Sequence, residues 1–414
     1  MNSQLQGMSR FNLNTVPISA RQNVQAIVVF ILCLIPITIV NGDGIGISAN
    51  YSFIALLPLL VGLRFKYNSF AVFATLSYIF CYLTAFIFNV FILQLNENQL
   101  LRVFISFTLA TASFVILFLD LRKYERQFYA VVVTVSVVYS ICVFVAFVVV
   151  ASDSGINPFM MKSQLPNYLA DWPQRYVLVL FAGFFFTPLL NIRPSVSVLL
   201  RLIILSAIAL TFLRAAYLAL FIGFIFELIL ANRKKNIKIR RLRFHQKVFF
   251  NLLLVFLIVK YLPVEIVESL GLIVSYLGDS IANIFLANQT ELESDSIRVD
   301  IITNALARIN PLIGLGGGGI YLVYPEAGSA HNQILDAYIR FGILGVFIFL
   351  SIIVMLLRRY IYSAPVVGLI ICYLIFGFAH ETLKYSYGAF IMLVLLSISE
   401  SKRLSRFKNR FNND

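Results

Sequence analysis

The stretch FYAVVVTVSVVYSICVFVAFVVVA, residues 128–151, continues for 24 positions without a charged side chain. At ~1.5 Å per residue, a helix of that length reaches about 36 Å, enough to cross the ~30 Å hydrocarbon core of a bilayer. The rest of the chain has the same character: of 414 residues, 60% are hydrophobic, 14% aromatic and only 13% charged. Soluble domains cannot bury that much apolar surface. The fold class expected is therefore all-α, a polytopic integral membrane protein.

Working outward from this segment, apolar spans are expected at 26–40, 50–63, 69–93, 102–120, 128–151, 176–190, 196–213, 215–231, 248–262, 333–357, 362–378 and 386–399, about twelve in all. The first, second, sixth, ninth and last are short and need tilt or burial among neighbours. They divide the chain into an inner N-terminal tail at 1–25 and spans 1–9 over 26–262. The latter are interrupted by an outer loop at 152–175 and a basic inner loop at 232–247. A large outer loop at 263–332, long enough for short helices, leads to spans 10–12 over 333–399 and a basic inner tail at 400–414.

The orientation follows from Lys and Arg, which are retained on the cytoplasmic side. With the N-terminus inside, 24 of the 33 basic residues face inward, including the block RKKNIKIRRLRFHQK at 233–247 and the tail KRLSRFKNR. The net charge of +14 then tracks a membrane surface, so nucleic acid is excluded as a partner and the lipid bilayer takes its place. Cys33, Cys81, Cys142 and Cys372 all fall in expected spans without CxxC spacing, which supports neither a zinc site nor a disulfide framework. The first apolar segment has no small-residue cleavage site and reads as a retained span.

Polarity concentrates in the late outer loop and the span after it. In ELESDSIRVDIITNALARINPLIGLGGGG, Ser294 or Ser296 can cap a helix that runs to about Ile309, Pro311 ends it, and glycines follow. Ile301, Ile302, Ala305, Leu306 and Ile309 share an apolar arc, opposed by Asp300, Thr303, Asn304 and Arg308. Arg298 falls within the apolar arc, where it either meets an anion or snorkels from a frayed first turn. GLGGGG lacks the Lys-Ser/Thr and the preceding strand of a phosphate loop, and reads as a hinge. Arg214, in LTFLRAAYLAL, sits at an outer junction of two spans, either as a site residue or snorkelling from a helix end.

Beyond the glycines comes AGSAHNQILDAYIRFGILG, residues 327–345. His331 falls at or just before a helix N-terminus, where the dipole disfavours imidazolium and keeps a neutral base; a structural histidine is the competing reading. Asp336 and Arg340, at i and i+4, can neutralise each other. Gly342 and Gly345 permit a close helix–helix contact. The last outer turn carries HETLK, with His380, Glu381 and Lys384, which either lines the same cavity or is an ordinary polar turn.

RVDIITNALARINPLIGLGGGG followed by HNQILDAYIRFGILG resembles the signature region of the O-antigen ligase and polymerase superfamily. There an Arg-led helix, a P-L-x-G-x-G turn and a His-Asn precede an apolar helix with glycines after nine further residues. His331-Asn332, Gly342 and Gly345 keep that spacing. An arginine at a mid-chain outer junction also belongs to the pattern; here LRAA keeps Arg214 and lacks the flanking Ser and Gly. Asp300 and Ile301 stand where an aromatic residue is common.

The resemblance implies glycan transfer from an undecaprenyl-diphosphate-linked oligosaccharide at the periplasmic face of a bacterial inner membrane, with both termini cytoplasmic. A Wzy-type polymerase moves the chain onto another lipid-linked repeat unit; a ligase moves it onto lipid A core. On this reading Arg214 and Arg298 stabilise the diphosphate leaving group and His331 activates the acceptor hydroxyl. Arg308, Asn332, Asp336, Arg340, His380 and Lys384 contact diphosphate or glycan. No DxD pair is present to hold a divalent ion, so neither a metal nor another cofactor is expected. By analogy, direct attack inverts the anomeric centre. A chain-length regulator is a further candidate partner. A flippase for the same lipid is the alternative from another class, although internal repeats and a mid-membrane site, common in transporters, are not evident.

Overall fold

The computed structural model describes residues 20–34, 39–40, 46–47, 69–93, 111, 113–154, 173–233, 300, 303–304, 307, 311–312, 314–315, 332–380, 382 and 386–411. Among these the protein is mostly helical, with α1 (Ala20–Leu34), α2 (Ser69–Leu93), α3 (Glu125–Ser154), α4 (Pro173–Phe186), α5 (Pro194–Ala209), α6 (Arg214–Arg233), α7 (Gln333–Tyr360), α8 (Ala364–Gly377) and α9 (Ser386–Phe411). Segments Leu121–Ser152, Arg214–Ala231 and Gln333–Tyr360 are long and apolar enough to cross a membrane. Large side chains remain uncovered on the helices, with Phe73 and Phe80 each 71% exposed and Phe347 69%. A bilayer, rather than water, suits such a surface. The expected spans at 50–63 and 248–262 lie outside the described residues.

The expected span at 69–93 coincides with α2, but several other ends differ. The first span was expected to reach 40; α1 stops at Leu34, and Ile39–Val40 pairs antiparallel with Gly46–Ile47. The sequence between carries Pro36, a residue that disfavours helix, and the dipeptides Asn-Gly and Asp-Gly, which favour turns. Near the end of the expected span 102–120, Phe114–Phe118 form a 3-10 turn, and Thr187–Leu189 do the same at the end of 176–190, where Pro188 interrupts the helix. At the C-terminal side α9 continues to Phe411, through the segment read as a tail from 400, because no Gly or Pro stops it.

The core is dense in aromatics: Tyr176, Phe181, Phe185, Tyr373, Phe376, Phe128 and Phe390 are all essentially inaccessible. Buried tyrosines donate to backbone carbonyls of neighbouring helices, Tyr373 to Leu178 at 2.7 Å and Tyr360 to Leu395 at 2.8 Å. The α6–α8 crossing is set by two glycines. A Cβ on Gly223 would stand 2.6 Å from the Gly368 carbonyl oxygen, so only the bare backbones approach this closely.

Contacts along the helices fix their directions. Tyr217 of α6 bonds Ala209 of α5 while Arg201 of α5 meets Glu227, so these two are antiparallel. Phe185 of α4 meets Gly368 of α8, and Phe181 meets Phe376, which makes that pair antiparallel too. Gly183 faces Ile204 while Phe184 faces Arg201, so α4 runs opposite to α5 and therefore shares the direction of α6, with α8 opposing α4. One end of the bundle thus gathers the starts of α4, α6, α7 and α9 and the end of α8. The other gathers the end of α6, the end of α7 and the late turns of α9.

Candidate active site

The entry to α7 is built around Asn332. Its backbone is extended (φ −156, ψ 125), and its Oδ1 accepts from the N–H groups of Ile334 and Leu335 at 2.9 and 3.0 Å. This is the N-cap geometry that satisfies otherwise orphaned donors of the first turn. Its Nδ2 donates to the Phe378 carbonyl at 2.9 Å, tying α7 to the last turn of α8. The side chain expected to contact substrate is thus engaged in positioning the helix. His331, the residue immediately before this cap, lies outside the described residues, as do Arg298, Arg308 and Lys384.

Ten residues beyond Asn332, α7 is broken. Gly342 has φ 62 and ψ −155, far from helical values and in a region that favours glycine. In an unbroken helix the Ile343 N–H would bond the Ile339 carbonyl. Here that pair is open, and a separate segment completes both halves. Ile343 N–H donates to Pro311 O at 2.8 Å, and Ile339 O accepts from Leu315 N–H at 2.7 Å. Unsatisfied backbone groups cost several kcal/mol in a hydrocarbon environment, so the docked segment is what makes the break tolerable.

The approach also explains the glycine of the docked segment. Gly314 has φ +68, and a Cβ there would stand 2.5 Å from Phe341 N and 2.7 Å from Arg340 C. Gly345 closes the far side of the break, where a Cβ would lie 2.5 Å from the Ala337 carbonyl oxygen. The sequence-based expectation that Gly342 and Gly345 form a contact with another helix is therefore corrected: they shape a break within one helix. The glycine segment expected to act as a hinge is, at Gly314 and Leu315, a fixed partner of that break. The expected helix before it agrees with the described residues: Asp300, Thr303, Asn304 and Ala307 are helical, Asp300 and Thr303 are exposed, and Pro311–Leu312 turn.

Two residues before the break, Arg340 Nε lies 2.9 and 2.8 Å from the two carboxylate oxygens of Asp336, with side-chain exposures of 17% and 6%. Self-neutralisation of an i, i+4 pair is the arrangement seen. Beside it, Phe341 packs edge-on to Tyr78 of α2 at 6.2 Å, and Tyr78 stacks on Phe114 at 5.1 Å.

Arg214 is the first residue of α6, reached through a turn in which Phe212 adopts φ 53. Tyr217 braces that turn by donating to Ala209 O at 2.6 Å, and the Thr211 hydroxyl donates to Ile208 O at 2.7 Å. Gly223 and Gly368 mark the crossing of antiparallel helices, and Arg214 and Gly377 each lie nine residues beyond it, about 13.5 Å toward the same end. His380 follows, its ring 4.7 Å from that of Phe376 and its N–H bonded to Phe376 O. The structure thereby brings Arg214, Asn332 and His380 to one end of the bundle, with Asp336 and Arg340 one to two turns beneath. Sequence reading missed the roles of Pro311, Leu315 and the Phe378 carbonyl. These act through backbone atoms, and the only signal for them was the glycine spacing.

Residues 199–350, which include Arg214, the docked segment and the break, match the family model described as O-antigen ligase. That match supports the O-antigen ligase/polymerase superfamily for this part of the chain. The match starts in α5 and ends within α7, so it unites the outer junction at Arg214 with the Pro311–Leu315 segment and its partner helix. No curated protein sequence matches the chain.

Proposed function

We propose that the protein is a glycosyltransferase of the inner membrane that polymerises repeat units of O-antigen or a related surface polysaccharide, drawing them from an undecaprenyl-diphosphate carrier at the periplasmic face. The observation that carries this reading is the coincidence of the superfamily match with the mutual docking of its two glycine motifs, Pro311–Leu315 and Ile339–Ile343. That docking brings Pro311–Leu315, which follow Arg298 and Arg308 in sequence, against the helix whose cap follows His331. In this reading the full chain has about twelve spans with both termini cytoplasmic.

The chemistry is the breaking of a sugar–phosphate bond. An acceptor hydroxyl loses its proton to His331, its oxygen bonds the anomeric carbon, and the lipid diphosphate leaves with the bond electrons. Arg214 and Arg298 stabilise the charge that develops on that leaving group, with Arg308 as a helper. Attack from the face opposite the leaving group inverts the anomeric configuration. Asp336 and Arg340 are assigned to holding the end of the first half-helix, with glycan contact as their secondary role; His380 and Lys384 line the outer turn.

Polymerisation is favoured over ligation by the low-charge, aromatic-rich character of the chain. The ligase reading, transfer to lipid A core, is supported by the description of the matching family model. Deleting the gene distinguishes them: a single repeat unit still attached to the core indicates a polymerase, whereas loss of all attachment indicates a ligase. Purified protein should elongate lipid-linked glycan in detergent with chelator present. Failure to transfer glycan without an ion gradient would leave the flippase reading standing.

A further inference from the structure

Below its break, α7 carries a groove of about 560 Å³ lined by Phe347, Leu350, Val354, Met355, Arg358 and Arg359 among others. Its two ends differ in chemistry. One is apolar and open, with Phe347 69% and Val354 46% exposed, and the other is doubly cationic. The two arginines are not equivalent. Arg359 is held at 2.7 Å by Glu400, donates to Ser399 Oγ at 3.1 Å and lies 5.5 Å over the ring of Phe70, so it forms a fixed wall. Arg358 is exposed and pairs with no acid among the described residues.

From Phe347 to Arg358 the helix rises about 16 Å, close to the ~15 Å half-thickness of a bilayer hydrocarbon core. A ligand matching both features has a long apolar chain and an anionic head that a guanidinium fork can grip. We propose that this groove binds one anionic phospholipid, its acyl chain along Phe347, Leu350 and Val354 and its phosphate at Arg358. By the orientation proposed above, the lipid belongs to the cytoplasmic leaflet, where anionic headgroups meet basic side chains. The groove lies on the same helix as the break, so an occupied groove steadies the lower half-helix, whose Ile343 N–H bonds Pro311 O.

Native mass spectrometry of the full chain in detergent, titrated with phosphatidylglycerol or phosphatidylcholine, tests the assignment. Phosphatidylglycerol should bind wild-type protein and Arg193→Gln, a charge change on the loop before α5, with equal affinity. Binding should fall about fivefold in Arg358→Gln, the loss expected for one basic contact to an anionic headgroup. Val354→Trp, which fills the groove, should lower it as well. Equal phosphatidylglycerol binding by wild type and Arg358→Gln overturns the proposal, as does phosphatidylcholine binding as tightly as phosphatidylglycerol. Lipid counting reads no glycosyl transfer, so failure here leaves the proposed function intact, and failure of that function leaves this site to stand on its own data.

Discussion

The two ends of the bundle are held together by different physics. At the end away from the candidate active site, charge pairs join helices. Arg201 of α5 reaches Glu227 of α6 at 2.7 Å while donating to Phe184 O, Arg359 of α7 meets Glu400 of α9, and Lys402 of α9 meets Glu125 of α3. At the site end the joints are hydrogen bonds to backbone carbonyls: Asn332 Nδ2 to Phe378 O, Ile343 N–H to Pro311 O, Leu315 N–H to Ile339 O. Charges used for structure at one end are compensated by neighbours. At the other, Arg340 is paired within α7 to Asp336, and Arg214 stands at the start of α6.

This difference gives substitutions opposite signatures. His331→Ala should lower glycosyl transfer roughly 10²- to 10⁴-fold, the range for removing a general base, with the melting temperature unchanged. Full activity of that variant in a purified elongation assay would sink the proposed mechanism. Glu227→Ala should act the other way, destabilising by about 2–3 kcal/mol because the part-buried Arg201 is left without its acid. Thermal unfolding in detergent measures this, and the double change Arg201→Met with Glu227→Leu should recover most of the loss, since an apolar pair leaves no charge to compensate.

Smaller effects sharpen the contrast. Gly342→Val forces a branched side chain to φ 62, and should cost about 1–3 kcal/mol and also reduce transfer, because the docked segment must shift. A variant with normal activity and stability would show that the break is dispensable. Asn332→Ala removes a helix cap worth about 1 kcal/mol. Its transfer rate should fall more than its stability implies, because the cap also aims the residue before it. Lys402→Ala should be nearly silent, below about 1 kcal/mol, since that pair is 42% and 24% exposed.

Much of the helical framework was legible because apolar runs have few alternatives: α2 fills the expected span 69–93, and α6 covers 215–231. Errors cluster where a proline or a turn competes with hydrophobicity, as at Pro36 and Pro188. Arg201 shows a different limit. It is part of α5, inside the expected span 196–213, and its partner lies 26 residues away on α6. The two charges stood in plain view within apolar spans, and nothing in their spacing required that they meet.

For the site, sequence alone determined which residue types were present and how far apart they stood: His331-Asn332, then Gly342 and Gly345, after a turn at Pro311. Local spacing could reveal a cap and an i, i+4 ion pair, because those depend on one helix only. The tertiary structure decided what the glycines do. Opening the Ile343–Ile339 hydrogen bond and filling it from Pro311 and Leu315 needs two segments of chain to meet at backbone distance. Backbone amides are identical at every residue except proline, so the sequence records that meeting only as missing side chains.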